Sequence, residues 1–283
     1  MRIDAHQHFW MYQAAEYPWI SDDMSTLKLD WLPADLRGSL RQAGYEACIA
    51  VQARQSSAEN SFLLSLAHAH EWIVGVVGWI DLTSSSLPEE LAQWRGYPKL
   101  KGFRHILQDE PAPDFMLRAA FVEGLRYLGQ QGYAYDILVY ERQLPQVLQL
   151  VAQCPEQPLI LDHLGKPEIG ERPSQRWQEA IRQLAQYPQV YCKLSGLVTE
   201  VVGGQWRTVD FRPYLETVYE AFGPKRLLIG SDWPVCLLAA AGYSDALSVV
   251  DQFLNQLSSS EQAWIRGGNA AAVYGISVDA SDG

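Results

Sequence analysis

The sequence is short of cysteine, of charge and of long apolar runs, and each shortage excludes something. Its four cysteines, Cys48, Cys154, Cys192 and Cys236, lie far apart without metal-type spacing. A disulfide framework is therefore not expected, the cysteines read as core residues, and a reducing cytoplasm is the default compartment. No stretch reaches the roughly 18 apolar residues that a membrane span needs, and the first residues lack a basic segment followed by an apolar one. A soluble, unexported protein is the expectation. Charged residues make up 19% of the chain, and 22 Lys plus Arg against 33 Asp plus Glu give a net charge of −11. That balance disfavours nucleic acid and membrane surfaces as partners and suits small neutral molecules. No G-x-G-x-x-G or Walker pattern follows any strand signal, which argues against a nucleotide-binding open sheet.

What is present is a chain of 283 residues, 48% hydrophobic, long enough to bury most of the surface an unfolded chain exposes. Ten tryptophans stand out. Trp10, Trp19, Trp79, Trp206 and Trp233 fall near strand ends or in loops, where a flat apolar face can stack on a sugar ring. Short apolar runs with strand character recur at 2–6, 47–52, 73–80, 100–104, 134–139, 159–162, 190–194 and 227–230. A long loop, 9–32, follows the first run, and helical signals fill 33–43, 58–70, 88–94, 115–130, 144–153, 175–186, 211–221, 244–256 and 260–273. Eight alternations without a composition break predict an α/β protein, a single-domain (β/α)8 TIM barrel over residues 1–283, with a doubly wound sheet as the competitor.

A barrel gathers its chemistry at the C-terminal ends of its strands, and the residues there are unusual. The chain opens on DAHQHFW, in which His6 and His8 are two apart and so face one way on a regular strand, with Asp4 on the same parity. Later strand ends carry Gln52 with Arg54, Trp79 with Asp81, Arg104 with His105, Asp162 and His163 with Lys166, Lys193 with Ser195, and Ser231, Asp232 and Trp233. Arg104 and His105 are neighbours and face opposite ways, so the sequence leaves open which enters the site. Asp162 and Lys193 read as an ion pair near the barrel, and Ser195 has no evident base. His68 and His70 close a helix, where a cation complements the dipole.

The ordered set DAHQHFW, VVGWIDL, KGFRHILQDEP, LDHLGKPEI, VYCKLSGL and IGSDWP resembles the amidohydrolase superfamily over roughly residues 2–275. The similarity is to its branch of metal-optional sugar lactonases, acting on L-fuconolactone or L-rhamnonolactone, with pyrone-dicarboxylate lactonases more distant. The resemblance implies hydrolysis of a sugar (aldono) lactone, with Asp232 taking a proton from water. His163, Arg104, His6 and His8 would stabilise the oxyanion, and His105 or His163 would protonate the leaving oxygen. Trp79, Trp233 and Gln52 would hold the ring and its hydroxyls, Arg54 would help with an anionic substrate, and Lys166 would sit at the rim. Metal-dependent branches also use a strand-five histidine and a bridging residue on strand four, whereas this chain has AYDILV and KGFRH there. His6, His8 and Asp232 are therefore expected to form at most a weak site for an adventitious divalent ion such as zinc, with no cofactor required. The expected partner is the lactone alone, and a homo-oligomer is left open. Alternatives are a lactonase or decarboxylase for an anionic ring such as 2-pyrone-4,6-dicarboxylate, and a non-catalytic sugar-binding barrel.

Overall fold

Parallel strands buried on both faces read as continuous apolar runs, and the runs of this chain take that form. In the computed structural model, which describes residues 1–277, the strands are β1 Ile3–Gln7, β2 Ala47–Val51, β3 Ile73–Gly78, β4 Leu100–Ile106, β5 Ala134–Leu138, β6 Leu159–Leu161, β7 Val190–Leu194 and β8 Leu227–Ile229. Each pairs in parallel with the next. The seam between the last and the first is closed by a Gln7–Trp233 bridge, with His8 N donating to Trp233 O at 2.7 Å and Asp232 N to His6 O at 2.8 Å. The expected (β/α)8 barrel is what forms; positions 278–283 of the expected domain lie outside the described residues.

Helices α1 Pro33–Gln42, α2 Ser57–Ala69, α3 Leu87–Ala92, α4 Ala119–Gln130, α5 Leu144–Gln153, α6 Gln175–Leu184, α7 Arg212–Phe222 and α8 Tyr243–Leu254 form the outer ring. Two expected helices are interrupted. The segment expected as 115–130 begins as a 3-10 turn, Phe115–Leu117, and becomes helical only after the extended Arg118. The segment expected as 260–273 splits into α9 Ser259–Ala263, a π turn at Trp264–Gly268 and α10 Asn269–Val273. The break falls where Gly267 meets the start of the chain: a Cβ there would lie 2.4 Å from Met1 O.

Side-chain alternation sorts the core into two layers. Cys48, Ala50, Val76, Phe103, Tyr135, Ile137, Cys192 and Ile229 pack outward against the helices. Ile3, Ala5, Ile49, Val51, Val77, Ile160 and Leu228 fill the lumen, together with Ala270, Tyr274 and Ile276 from the end of the chain. All four cysteines are buried and free. Strand β1 departs from strict alternation. From Asp4 to Gln7 it advances three residues while β2 advances two, Cys48 to Ala50, so one extra residue is bulged. The bulge corrects the parity expected for Asp4. Its carboxylate accepts from Tyr243 of α8 and from Ser231, on the helix side, while His6 and His8 face the lumen.

Helix α4 docks on the loop after β3 through Gly124, where a Cβ would lie 2.1 Å from the Leu82 carbonyl oxygen. Gly124→Ala should lower unfolding free energy by about 1–3 kcal/mol, the range for forced overpacking, despite the better helix propensity of Ala. Urea unfolding at neutral pH measures it; an unchanged midpoint would show that α4 tolerates displacement.

Candidate active site

At the C-terminal end of the barrel a cleft of about 540 Å³ is lined by His8, Arg104, His163, Lys166 and Asp232, with Trp19, Met24, Tyr140, Glu200 and Leu238 among the walls. His6, fully buried, lies in the floor beneath it. Four ring and carboxylate groups meet there. His6 Nε2 is 3.2 Å from His8 Nε2, His8 Nε2 is 3.3 Å from Asp232 Oδ1, and His6 Nε2 is 3.7 Å from the same oxygen. His163 Nε2 stands 4.0 Å from Asp232 Oδ1. The Val51 carbonyl lies 2.8 Å from His8 Nδ1 and requires the proton there, which leaves Nε2 as a bare lone pair facing the cluster.

Backbone geometry places two of these groups. His163, Leu164 and Lys166 in the loop after β6, and Asp232 in the loop after β8, have φ of +53°, +55°, +46° and +57°. Such conformations cost on the order of 1–3 kcal/mol each and persist where surrounding contacts over-determine them. Here Ser195 Oγ lies 2.9 Å from His163 Nδ1, Trp177 Nε1 donates to Leu164 O at 2.8 Å, and Asp232 N is bonded to His6 O. Glycine makes the remaining room. A Cβ on Gly196 would come within 2.6 Å of His163 Nδ1, and one on Gly230 within 2.6 Å of His6 Cβ.

Beneath the cleft runs a buried chain of charges. Asp162 Oδ2 accepts from Arg104 Nη1 at 3.0 Å, and Asp162 Oδ1 lies 3.1 Å from Lys193 Nζ and 3.3 Å from His6 Nδ1. Lys193 also donates to Asp136, which accepts from Tyr274 at 2.6 Å. The ion-pair reading of Asp162 and Lys193 is what the geometry shows. Burial would raise the Asp162 carboxyl, but Lys193, His6 and Arg104 outweigh it and hold it well below the usual carboxylate range. Burial lowers the His163 imidazole to about 4, against the opposing pull of Asp232 and Asp162. For Asp232 burial again pushes upward, and the neighbouring His163, His8 and His6 overcome it, so the carboxyl stays ionised far into acid. At neutral pH the pair is thus a carboxylate beside a neutral imidazole.

Of the residues expected at the site, Asp232, His163, His6, His8, Arg104 and Lys166 come together, and five do not. Arg104 points into the lumen and His105 therefore points out, where its ring stacks on Phe115 at 5.1 Å, Nε2 bonds Glu110 at 2.7 Å and Nδ1 accepts from Trp79 Nε1 at 3.3 Å. Trp79 is consumed in that outer contact. Trp233, next to the inward Asp232, turns outward and is buried edge-on against Trp31 and Phe9. Gln52 is fully buried, donating to Arg104 O at 3.0 Å. Arg54 is held by Glu16 and by Glu59 at 2.7 Å, over the Tyr17 ring. Of the five tryptophans considered for stacking, Trp19 is the one that lines the cleft. Asp136, Tyr140 and Glu200 were not anticipated. Ser195, set aside for lack of a base, shares strand parity with Lys193 and bonds His163; that parity is the signal that would have found it.

His6, His8 and Asp232 form a set whose ligand atoms lie close enough to share an ion. Ligands about 2.0–2.1 Å from a tetrahedral zinc stand roughly 3.3–3.4 Å from one another, and the three separations of 3.2, 3.3 and 3.7 Å fit that size. Residues present thus fit a zinc-sized ion.

Comparison with known proteins follows the same lines. The protein-family profile described as Amidohydrolase matches residues 3–276. The chain is 46% identical over 290 residues to the L-fucono-1,5-lactonase of Burkholderia multivorans, covering 98% of this chain and 96% of that protein. It is 34% identical to the L-fucono-1,5-lactonase of Burkholderia ambifaria, covering 99% and 98%. A crystal structure of an amidohydrolase from Burkholderia multivorans with bound zinc superposes with a TM-score of 0.93 at 46% identity, covering 98% of this chain and 100% of that one.

Because His163 is held to about 4, its imidazole should keep its neutral ring shifts on acidification from pH 8 to about pH 5 and gain a proton only near pH 4. Nitrogen-15 NMR of histidine-labelled protein, assigned with His163→Gln, follows this directly. A midpoint at the ordinary value of about 6.5 would contradict the buried geometry.

Proposed function

The chain belongs to the amidohydrolase family, and from that premise we propose that it hydrolyses a sugar lactone of the L-fucono-1,5-lactone type to the aldonic acid. The observation that carries the proposal is the Asp232 carboxylate, ionised and 3.3 Å from His8, deep in a cleft that Arg104 and His163 also line. A lactone is an activated ester whose carbonyl needs little further polarisation. Asp232 accepts a proton from water as the water oxygen bonds to the lactone carbon and the carbonyl pair moves onto oxygen. Arg104 and His163 offer fixed donors around that oxyanion, each typically worth on the order of a hundredfold or more in rate, whereas His6 and His8, expected to share that task, turn acceptor Nε2 atoms toward the cluster and do not donate there. Collapse restores the carbonyl and expels the ring oxygen, which takes the proton back from Asp232 or receives one through His163. An ion held by His6, His8 and Asp232 would supply Lewis-acid polarisation of the carbonyl; the residues above do not need it, and we propose that activity is independent of metal.

Substrate charge follows from the walls. Among the described lining residues the cations are Arg104 and Lys166, and both are already paired, with Asp162 at 3.0 Å and with Glu200 at 3.2 Å. An anionic ring such as a pyrone dicarboxylate would find no free cation there and would meet Asp109, Glu200 and Asp232. A neutral polyhydroxylated ring meets donors, acceptors and the flat face of Trp19. The assembled carboxylate and imidazoles also weigh against a barrel that only binds sugars.

Two outcomes check this reading. Asp232→Asn should lower kcat for fuconolactone at least about a hundredfold, the low end of what a positioned general base contributes, and near wild-type turnover would remove Asp232 from its role. A pH-indicator screen of aldonolactones beside 2-pyrone-4,6-dicarboxylate should show hydrolysis of the sugar lactones, unchanged by prior chelation. Turnover of the pyrone alone would replace the substrate class, and turnover only after zinc is restored would end the metal-independent reading.

A further inference from the structure

His6 sits between two fixed cations. Its Nδ1 lies 3.3 Å from Lys193 Nζ and 3.3 Å from Asp162 Oδ1, and its Nε2 lies 3.2 Å from Arg104 Nη1. Nδ1 faces both a donor, Lys193, and an acceptor, Asp162 Oδ1, whereas Nε2 faces Arg104 Nη1 and so presents its lone pair there. A guanidinium has donors only. Arg104 Nη1–H therefore fills the lone pair that His6 would have to give to a metal ion. Arg104 is also anchored from behind, by Asp162 at 3.0 Å and by the Gln52 carbonyl through Nη2, so it is not a side chain that drifts into place. In metal sites a carboxylate behind the ligating histidine raises its basicity. Asp162 occupies that place here, but its charge is shared with Arg104 at 3.0 Å and Lys193 at 3.1 Å.

We propose that Arg104 is a built-in cation that competes with a divalent metal for the His6–His8–Asp232 cluster, guanidinium and ion excluding each other at His6 Nε2. Three acceptors converge in this cluster, His6 Nε2, His8 Nε2 and Asp232 Oδ1, within 3.7 Å of one another. Such a concentration of lone pairs calls for a positive charge, and Arg104 supplies one from the protein itself. The ligand spacing suits zinc, so Arg104, rather than a misfit of the ligands, sets the metal affinity low. The inference concerns which cation the cluster holds and stands apart from the substrate assignment.

The test is zinc affinity on the full chain, measured by competition with a chromogenic chelator at fixed pH. Arg104→Met should bind zinc at least tenfold more tightly than wild type, and His6→Asn in the Arg104→Met background should abolish the gain. Equal or weaker affinity in folded Arg104→Met would overturn the proposal. Should Asp162, left with fewer partners, unfold that variant, a crystal structure of the wild type at saturating zinc decides. The expected result is a guanidinium moved off His6 Nε2; zinc on His6 Nε2 with Arg104 still in hydrogen-bond reach of it would refute the exclusion.

Discussion

The structure of the catalytic end depends on the placement of Asp162 between Arg104 and Lys193. All three side chains are buried, and a buried ion is tolerated only when it is paired and its remaining hydrogen-bonding capacity is used. Lys193 hands the constraint on to Asp136, and Asp136 to Tyr274 from the end of the chain. The row therefore ties strands β4, β5, β6 and β7 to the segment that plugs the other mouth of the barrel. Its upper edge is chemical. Asp162 steadies the His6 ring through Nδ1, and Arg104 is aimed at the ring's other nitrogen. Removing one member of such a row leaves an uncompensated charge, at a cost of about 3–5 kcal/mol, so the geometry above it cannot relax freely.

The β1–β8 seam is the second constraint, and it works through the bulge. With the extra residue, β1 turns Asp4 toward the helices while keeping both His6 and His8 in the lumen, which strict alternation of Asp4, His6 and His8 would not allow. Asp4 then accepts from the Ser231 amide at 2.9 Å, the Ser231 hydroxyl at 2.6 Å and the Tyr243 hydroxyl at 2.9 Å. That fixes the residue just before Asp232. Asp232 in turn bonds back to His6 O through its amide. Asp232 and the imidazoles belong to one hydrogen-bonded unit rather than to two loops that meet by chance.

How far the sequence disclosed this follows from which signals are local. Strand positions were legible because eight apolar runs of four to eight residues recur between helix signals, and buried parallel strands have that pattern. The lumen-facing histidines and Asp232 were legible from strand ends. Arg104 against His105 was not, because parity fixes that the two oppose each other and not which one is inside. Trp79, Trp233 and Arg54 were placed at the site because they sit near strand ends; each is claimed by a neighbour distant in sequence, His105, Trp31 and Glu16 respectively. The β1 bulge carries no mark in DAHQHFW, since a bulge is decided by the register of the partner strand. Asp136 drew no notice in a strand marked only by its lack of histidine, and its role as the far partner of Lys193 became visible only with the pairing of β5 and β7 to the same strand.

The cleft that results has two unlike walls. Trp19, Met24, Ala53, Val235 and Leu238 pack as one apolar side, built from the loops after β1 and β2 and the turn after Asp232. Tyr140, Lys166, Thr199 and Glu200 make the other, with the Lys166 ammonium paired to Glu200 and resting 5.3 Å above the Tyr140 ring. For the sugar lactone proposed above, with an apolar face of C–H groups and an edge of hydroxyls, two such walls would fix which way the ring lies before any reacting atom is positioned. Orientation of this kind is where much of an enzyme's rate comes from. Asp232 stands three residues before Val235 at the foot of the apolar wall and is only 5% exposed, a burial in which a carboxylate's interactions are strengthened by the low local dielectric. The same burial that makes the ion row under His6 indispensable thus surrounds the weakly basic Asp232, and in the reaction proposed above one water and one activated ester would suffice there.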